Sequence, residues 1–455
     1  NTSSCPIGPT GRGRVWHTLF AAIKRPCLQP SFHGCSPGVR LPVNDHWKRL
    51  MSVTIAIVGC LDTKGEEMAY LRDVIEAAGS GAWVIDTGVL GPPAFEANTA
   101  REAVARAGGS SLEKLIARSD RGQAMEVMSR GAAALVRELF TSSQIDGIIA
   151  AGGSANTTIG AAAMQSLPVG FPKVLVSTLA SGDVSGWVGT RDITMMYSVV
   201  DIAGINRISA AILRNAANAV SSMAAGKREV ESSRPLIAAS MFGVTTPCVT
   251  EARRILEEAG FEVIVFHATG TGGKTMEGLI EDGYFTAVLD LTTTELADEL
   301  VGGILGAGPG RLTAAGSRGI PQVVSVGATD MVNFSNVTPP GFEDRLFYKH
   351  NPTVTLMRTT ADECGKLGDE IAAKVDAAKG PAAILLPLAG VSAIDKEGEA
   401  FDDPEAREAL FESIRRNSGD AEIIELPFHI NDPEFAEAAA RRLIELINES
   451  DANPA

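Results

Sequence analysis

The chain has 455 residues, 45% of them hydrophobic and 21% charged, a mix that can bury a sizeable core and excludes the disordered and fibrous classes. Its formal net charge is −15, and the residues after position 50 carry 33 basic against 54 acidic side chains, a balance that repels a phosphate backbone and excludes general nucleic-acid binding. No stretch reaches the roughly 18 consecutive apolar residues of an ordinary membrane-spanning helix.

A chain this long exceeds one compact core, so two domains of roughly 200 residues each are expected. Residues 1–50 mix Pro, Gly, Arg and Cys without periodicity and carry seven Lys or Arg against one acid, Asp45. They read as a non-native or untranslated-region leader with Met51 as the start; a basic transit peptide is the competing reading. Three of the six cysteines lie there, and the others, Cys60, Cys248 and Cys364, are too scattered for a disulfide framework or a zinc site. The expected location is cytoplasmic.

From Met51 short apolar runs alternate with helix-period segments, which predicts βα units and a largely parallel sheet. The first domain, 51–228, has strands at Val53–Val58, Ala82–Asp86, Gly147–Ala151 and Lys173–Ser177, and helices at Glu66–Ala78, Arg121–Phe140 and Asn156–Gln165. A further strand is expected within Val184–Val200, before a long helix from Asn206 to Ala225. The polar string Gly226–Arg234 marks the boundary. The second domain, 235–450, repeats the alternation with strands near Leu236–Met241, Glu262–Phe266, Ala287–Leu291, Gln322–Val326, Thr353–Met357, Ala382–Leu386 and Glu422–Leu426. Helices are expected near Cys248–Ala259, Thr360–Ala378, Glu405–Arg415 and Pro433–Asn448. The fold class is therefore α/β: two doubly wound Rossmann-like subdomains with an interdomain cleft.

In such sheets ligands sit beyond the carboxyl ends of the strands, so the loops there carry the candidates. In GCLDTKGEE, Asp62 and Thr63 can cap the next helix while Lys64 offers a charge to a phosphate or carboxylate; ordinary capping is the alternative. In AAGGSANTTIG, Gly152 and Gly153 permit close backbone approach, and Ser154 and Asn156 supply donors at a helix start. The loop STLASGD follows another strand, and Arg191 and Asp192 can either bind an anion or pair with each other. In the second half HATGTGGKT invites comparison with a P-loop, but Ala268 stands where that motif needs Gly, so an anion-accommodating turn leading into a helix near Met276 is the reading. Asp290, Thr292 and Glu295 can hold a metal or a ribose hydroxyl, or form a helix cap; Arg318, Asp330 and Asn333 form another polar group. His267 and His350 each stand alone, and no catalytic triad, zinc spacing or paired-carboxylate signature is defined, so catalytic residues stay unassigned.

Taken together, GCLDTKGEE, VIDTGVLG, DRGQAM, AAGGSANTT, SGDVSGWVGTRDITMMYSVVDIAGIN and SMFGVTTPCV resemble, in order, the Tm-1-like ATP-binding family, the uncharacterised bacterial and plant family UPF0261. The resemblance covers Met51 to roughly Glu449. It implies ATP binding, with Mg2+ as the expected companion, assembly as a homodimer, and either an ATP-dependent activity on a small acidic or sugar-like metabolite or a nucleotide-regulated protein-interaction module. The nucleotide contacts it implies are Asp62, Thr63, Lys64, Thr87, Gly152, Gly153, Ser154, Asn156, Thr178, Ser181, Gly182 and Arg191. Thr269, Gly270, Gly272, Gly273, Lys274, Thr275, Arg318 and Asp330 are secondary anion or substrate candidates. The Gly270–Thr275 turn and the Arg318 region are expected to face the same interdomain cleft.

Overall fold

A computed structural model describes residues 53–226, 234–335 and 340–452. The leader, Met51 and most of the boundary string lie outside the described residues. In the first half β1 (Thr54–Gly59) leads into α1 (Gly65–Ala77) and β2 (Gly81–Asp86). Two short helices, α2 (Arg101–Ala107) and α3 (Leu112–Arg118), precede the long α4 (Arg121–Thr141). Then come β3 (Gly147–Gly152), α5 (Ser154–Gln165), β4 (Lys173–Ser177), the single turn α6 (Ser185–Val188), β5 (Thr194–Tyr197) and α7 (Arg207–Ala225). The five strands form one parallel sheet in the order β2-β1-β3-β4-β5.

The near-continuous apolar strands follow from burial on both faces. Ala56, Val58, Ile148 and Ala150 pack toward α4 and α5, while Ile55, Ile57, Ile149 and Ala151 pack toward α1 and α7. Neither α2 nor α3 was expected, because seven residues each are too few for a helical period to emerge.

The second half runs β6 (Leu236–Met241), α8 (Thr246–Glu258), β7 (Glu262–His267), α9 (Thr271–Glu281), β8 (Ala287–Thr292), α10 (Thr294–Val301), α11 (Ala314–Arg318) and β9 (Gln322–Gly327). It continues through β10 (Met331–Ser335), β11 (Phe347–Lys349), β12 (Val354–Arg358), α12 (Ala361–Asp376), β13 (Ala382–Pro387), α13 (Pro404–Asn417), β14 (Glu422–Leu426) and α14 (Pro433–Ala452). Six strands form a parallel sheet, β14-β13-β9-β8-β6-β7, so both halves place their first strand between the second and third.

Two expectations are corrected. The strand expected at Thr353–Met357 forms, as β12, but in a separate antiparallel sheet of order β10-β12-β11. Only Ala328, Thr329 and Asp330 separate β9 from β10, far too few for a parallel crossover, so β10 must leave the main sheet. Helix α9 begins at Thr271 rather than near Met276, because its first turn is capped from a distance: Glu295 accepts the Gly270 and Gly273 N–H groups at 2.6 and 3.0 Å.

Polar contacts between the halves include an ion pair from Arg191 to Asp282 and a 2.5 Å hydrogen bond from the Tyr284 hydroxyl to the Val169 carbonyl. All four residues precede strands, at the amino edges of their sheets.

Candidate functional site: a cavity at the first switch point

Between β1 and β3 the direction of winding reverses, and a crevice opens beyond their carboxyl ends. A cavity of about 580 Å³ lies there. Its polar side comes from the loops after β1, β2 and β3: Cys60, Asp62, Thr63, Lys64, Thr87, Gly153, Ser154 and Asn156. Its apolar side comes from the loop after β2 and from α3, α4 and α5, through Val89, Leu90, Leu115, Ile116, Ala124, Met125, Met128 and Ile159. Ser119, Asp120 and Arg121 form the corner between α3 and α4.

Three helices point their N-terminal ends at this cavity. α1 and α5 leave the carboxyl ends of β1 and β3, while α4 must start at that edge to deliver the chain to the amino end of β3. Neither α1 nor α5 has a side-chain cap, so the first N–H groups of α5, from Ser154 to Asn156, remain open beside the positive end of the helix dipole. The paired glycines divide the work. A Cβ on Gly152 would lie 2.4 Å from the Asn156 Cβ, so Gly152 lets α5 pack on β3; a Cβ on Gly153 would meet nothing nearer than the Thr178 Oγ1 at 3.9 Å.

Several expected ligand-binding side chains are spent on building this wall. Asp62 Oδ2 accepts the Leu90 and Gly91 N–H groups at 2.6 and 3.2 Å and pins the loop after β2. The Lys64 amine donates to the Ile202 carbonyl. Asn156 donates to the Ala151 carbonyl and accepts the Cys60 thiol at 2.8 Å. Burial pushes the Cys60 thiol up to about 12, so it is held protonated and serves as a donor. Asp86 accepts from Leu61 and Gly88 N–H, and burial raises its pKa. Thr63 and Ser154 are exposed and uncommitted in the same wall.

The remaining candidates lie elsewhere. Thr178, Ser181 and Gly182 are on the loop after β4 and outside the cavity wall. Arg191 sits at the amino edge, bound to the Gln165 carbonyl and to Asp282. Arg318 is exposed at the end of α11, also toward an amino edge and beside Gly283.

The second half does not present the same opening. At its switch point between β6 and β8 the buried Arg311 donates to Asp290, Glu295 and Glu277. The glycine-rich turn there is shaped by packing: a Cβ on Gly272 would come within 1.8 Å of the His267 carbonyl, and one on Gly273 within 2.2 Å of Glu295 Oε2. The carboxylate of Glu295 fills the place an anion would take. Thr269 and Thr275 donate to the His267 and Thr271 carbonyls, and Lys274 is exposed. Asp330 is buried beneath the antiparallel sheet, where burial and Asp395 raise it to about 7. Asp290, Thr292 and Glu295 thus belong to an internal network, and among the described residues no group of three or more His, Cys, Asp or Glu can hold a metal.

Fold and site define an α/β protein with a flavodoxin-like strand order in each half and an open strand-end cavity in the first half. The chain belongs to the uncharacterised protein family UPF0261: residues 53–229 match its N-terminal domain and residues 234–447 its C-terminal domain. It is 52% identical over 402 residues to a UPF0261 protein of Clostridium tetani, covering 87% of this chain and 100% of that one. A UPF0261 protein of Rhizobium meliloti is 46% identical over 399 residues, with 87% and 99% covered. The ToMV resistance protein Tm-1 of Solanum lycopersicum is 41% identical over 337 residues, 72% of this chain but 45% of that longer protein. Among solved structures, a UDP-N-acetylglucosamine 2-epimerase described as putative, from Listeria monocytogenes, matches 89% of this chain and 97% of its own at 11% identity and a TM-score of 0.19. No helix among the described residues is long and apolar enough to cross a membrane.

Proposed function

We propose that the first half binds ATP in the cavity between β1 and β3. One observation carries this reading: the open N-terminus of α5 lies on the polar side of a cavity whose other side is apolar. Phosphates suit the free N–H groups of residues 154–156 and the converging helix dipoles. The nucleobase suits Leu115, Ile116, Met125 and Met128, an apolar surface soft enough to fit a flat ring. With no clustered protein ligands among the described residues, Mg2+ fits as a companion of the phosphates rather than as a resident ion. Covalent chemistry through the protonated Cys60 is not part of the proposal.

Calorimetry with ATP and Mg2+ tests it: binding at a single site per chain is expected, and no heat at millimolar nucleotide would reject it. Replacing Ser154 with Glu, which puts a carboxylate at the first position of α5, should weaken ATP binding at least about tenfold through repulsion of the phosphates.

A second reading, a nucleotide-tuned protein interface in a cytoplasmic homodimer, is favoured by the apolar rim, where Leu90 is 81% and Ile116 48% exposed. Sedimentation with and without ATP tests it. A single species whose mass is unaffected by ATP and by Leu90→Asp would count against a self-association role.

A further inference from the structure

The corner between α3 and α4 carries a cation that the fold itself does not need. Arg121 is the first residue of the 21-residue α4, where the helix dipole disfavours a positive charge, and the nearby carboxylate is that of the cap, Asp120, since the first turn itself holds no acid. Asp120, the preceding cap, is committed to the Gln123 N–H at 3.1 Å. Arg121 is exposed, and its side chain makes no hydrogen bond or ion pair among the described residues. It nevertheless lines the cavity. α4 and α5 pack side by side in the same direction, which brings the guanidinium end of one helix next to the open N–H groups of the other.

A local rule broken without structural return, at the mouth of a cavity, marks a residue retained for its ligand. A guanidinium also matches a phosphate better than any other side chain, because its planar fork donates two parallel hydrogen bonds. We infer that Arg121 reads the outermost phosphate of the bound nucleotide and makes the site select for phosphate charge, triphosphate over monophosphate and nucleoside. This rests on the nucleotide reading above. The free N–H groups of α5 then hold the inner phosphates, and Arg121 meets the outer one from the neighbouring corner between α3 and α4.

Calorimetry of the full chain with ATP, AMP and adenosine, on the wild type, Arg121→Gln and Arg121→Lys, tests the inference. Arg121→Gln should weaken ATP binding by about tenfold or more, the loss of a charge-assisted pair, leave adenosine unchanged, and narrow the preference for ATP over AMP. Arg121→Lys should recover part of the loss. Without ligand, Arg121→Gln should melt no lower than the wild type, since it removes a charge opposed to the helix dipole. Equal losses for all three ligands, no loss for ATP, or a lower melting temperature without ligand would overturn the inference while leaving the nucleotide site standing. A wild type that binds none of the three overturns both.

Discussion

Gly152 and Gly153 are adjacent, yet they answer to different demands. Gly152 is needed because Asn156 occupies the space its side chain would fill, whereas Gly153 has open space and an ordinary φ of −80°. Gly152→Ala should therefore destabilise the protein by about 1–3 kcal/mol through overpacking, and Gly153→Ala should leave urea unfolding nearly unchanged. A similar loss for both would contradict the assignment. The sequence pattern treats the pair as one feature, a place for close backbone approach, because glycine spacing alone does not separate a packing demand, as at Gly152, from open space, as at Gly153. It could not reveal that Asp62, Lys64 and Asn156 spend polar groups on the protein, since the partners Leu90, Ile202 and Cys60 come from other loops. Nor could it reveal Arg121, whose position at a helix start looks unremarkable until its lack of a partner is known.

Buried carboxyls also fix how stability varies with pH. Burial raises Asp298 to about 6, and burial together with Asp395 raises Asp330 to about 7, against 3.8 for either when exposed. A carboxyl whose folded pKa is raised holds its proton more tightly in the folded state, so its contribution is complete below about pH 4 and is lost as pH rises through 6 to 7. Asp330→Asn, which keeps a neutral group next to Ser392 and Asp395, should remove part of this slope. Between pH 4 and 8 the wild type should lose stability relative to the variant, by on the order of a few kcal/mol. Parallel melting curves across that range would rule the assignment out.

At the scale of elements, the turn that looks most like a phosphate loop is closed by the protein itself. Glu295 on α10 occupies the N-terminus of α9, and Arg311 holds that carboxylate together with Asp290 and Glu277. One guanidinium among three carboxylates, all buried, stabilises only while the set is complete. Arg311→Met should cost about 3–5 kcal/mol in denaturant unfolding, because three acids would be left without their cation. A loss below about 1 kcal/mol would show that the cluster relaxes or takes up water. The expectation of an anion site at this turn rested on glycine spacing, and glycines selected for packing against His267 and Glu295 produce the same spacing. The strands were more legible: buried parallel strands leave long apolar runs, and the strand expected in Val184–Val200 lies at Thr194–Tyr197. What escaped was the antiparallel sheet, because β12 has the composition of a core strand and only the three-residue link before β10 excludes it from the main sheet.

Across the whole molecule, two halves with the same strand order have divergent switch points. The first keeps an open cavity with two uncapped helix ends, while the second fills its crevice with an ionic network and covers it with extra strands. The alternation of strands and helices made both halves legible, but it could not show that their switch points differ. That depends on side chains from α9, α10 and the chain before α11 meeting at Arg311, with Glu295 lying 16 and Glu277 lying 34 positions away from it in sequence. The account's central claim is that nucleotide occupies the first half alone. A crystal structure of the protein soaked with ATP and Mg2+ tests it most directly. Phosphates on the N–H groups of residues 154–156, with the base against Leu115 and Met128, would bear the account out; nucleotide on the Gly270–Thr275 turn, or between the two halves, would contradict it.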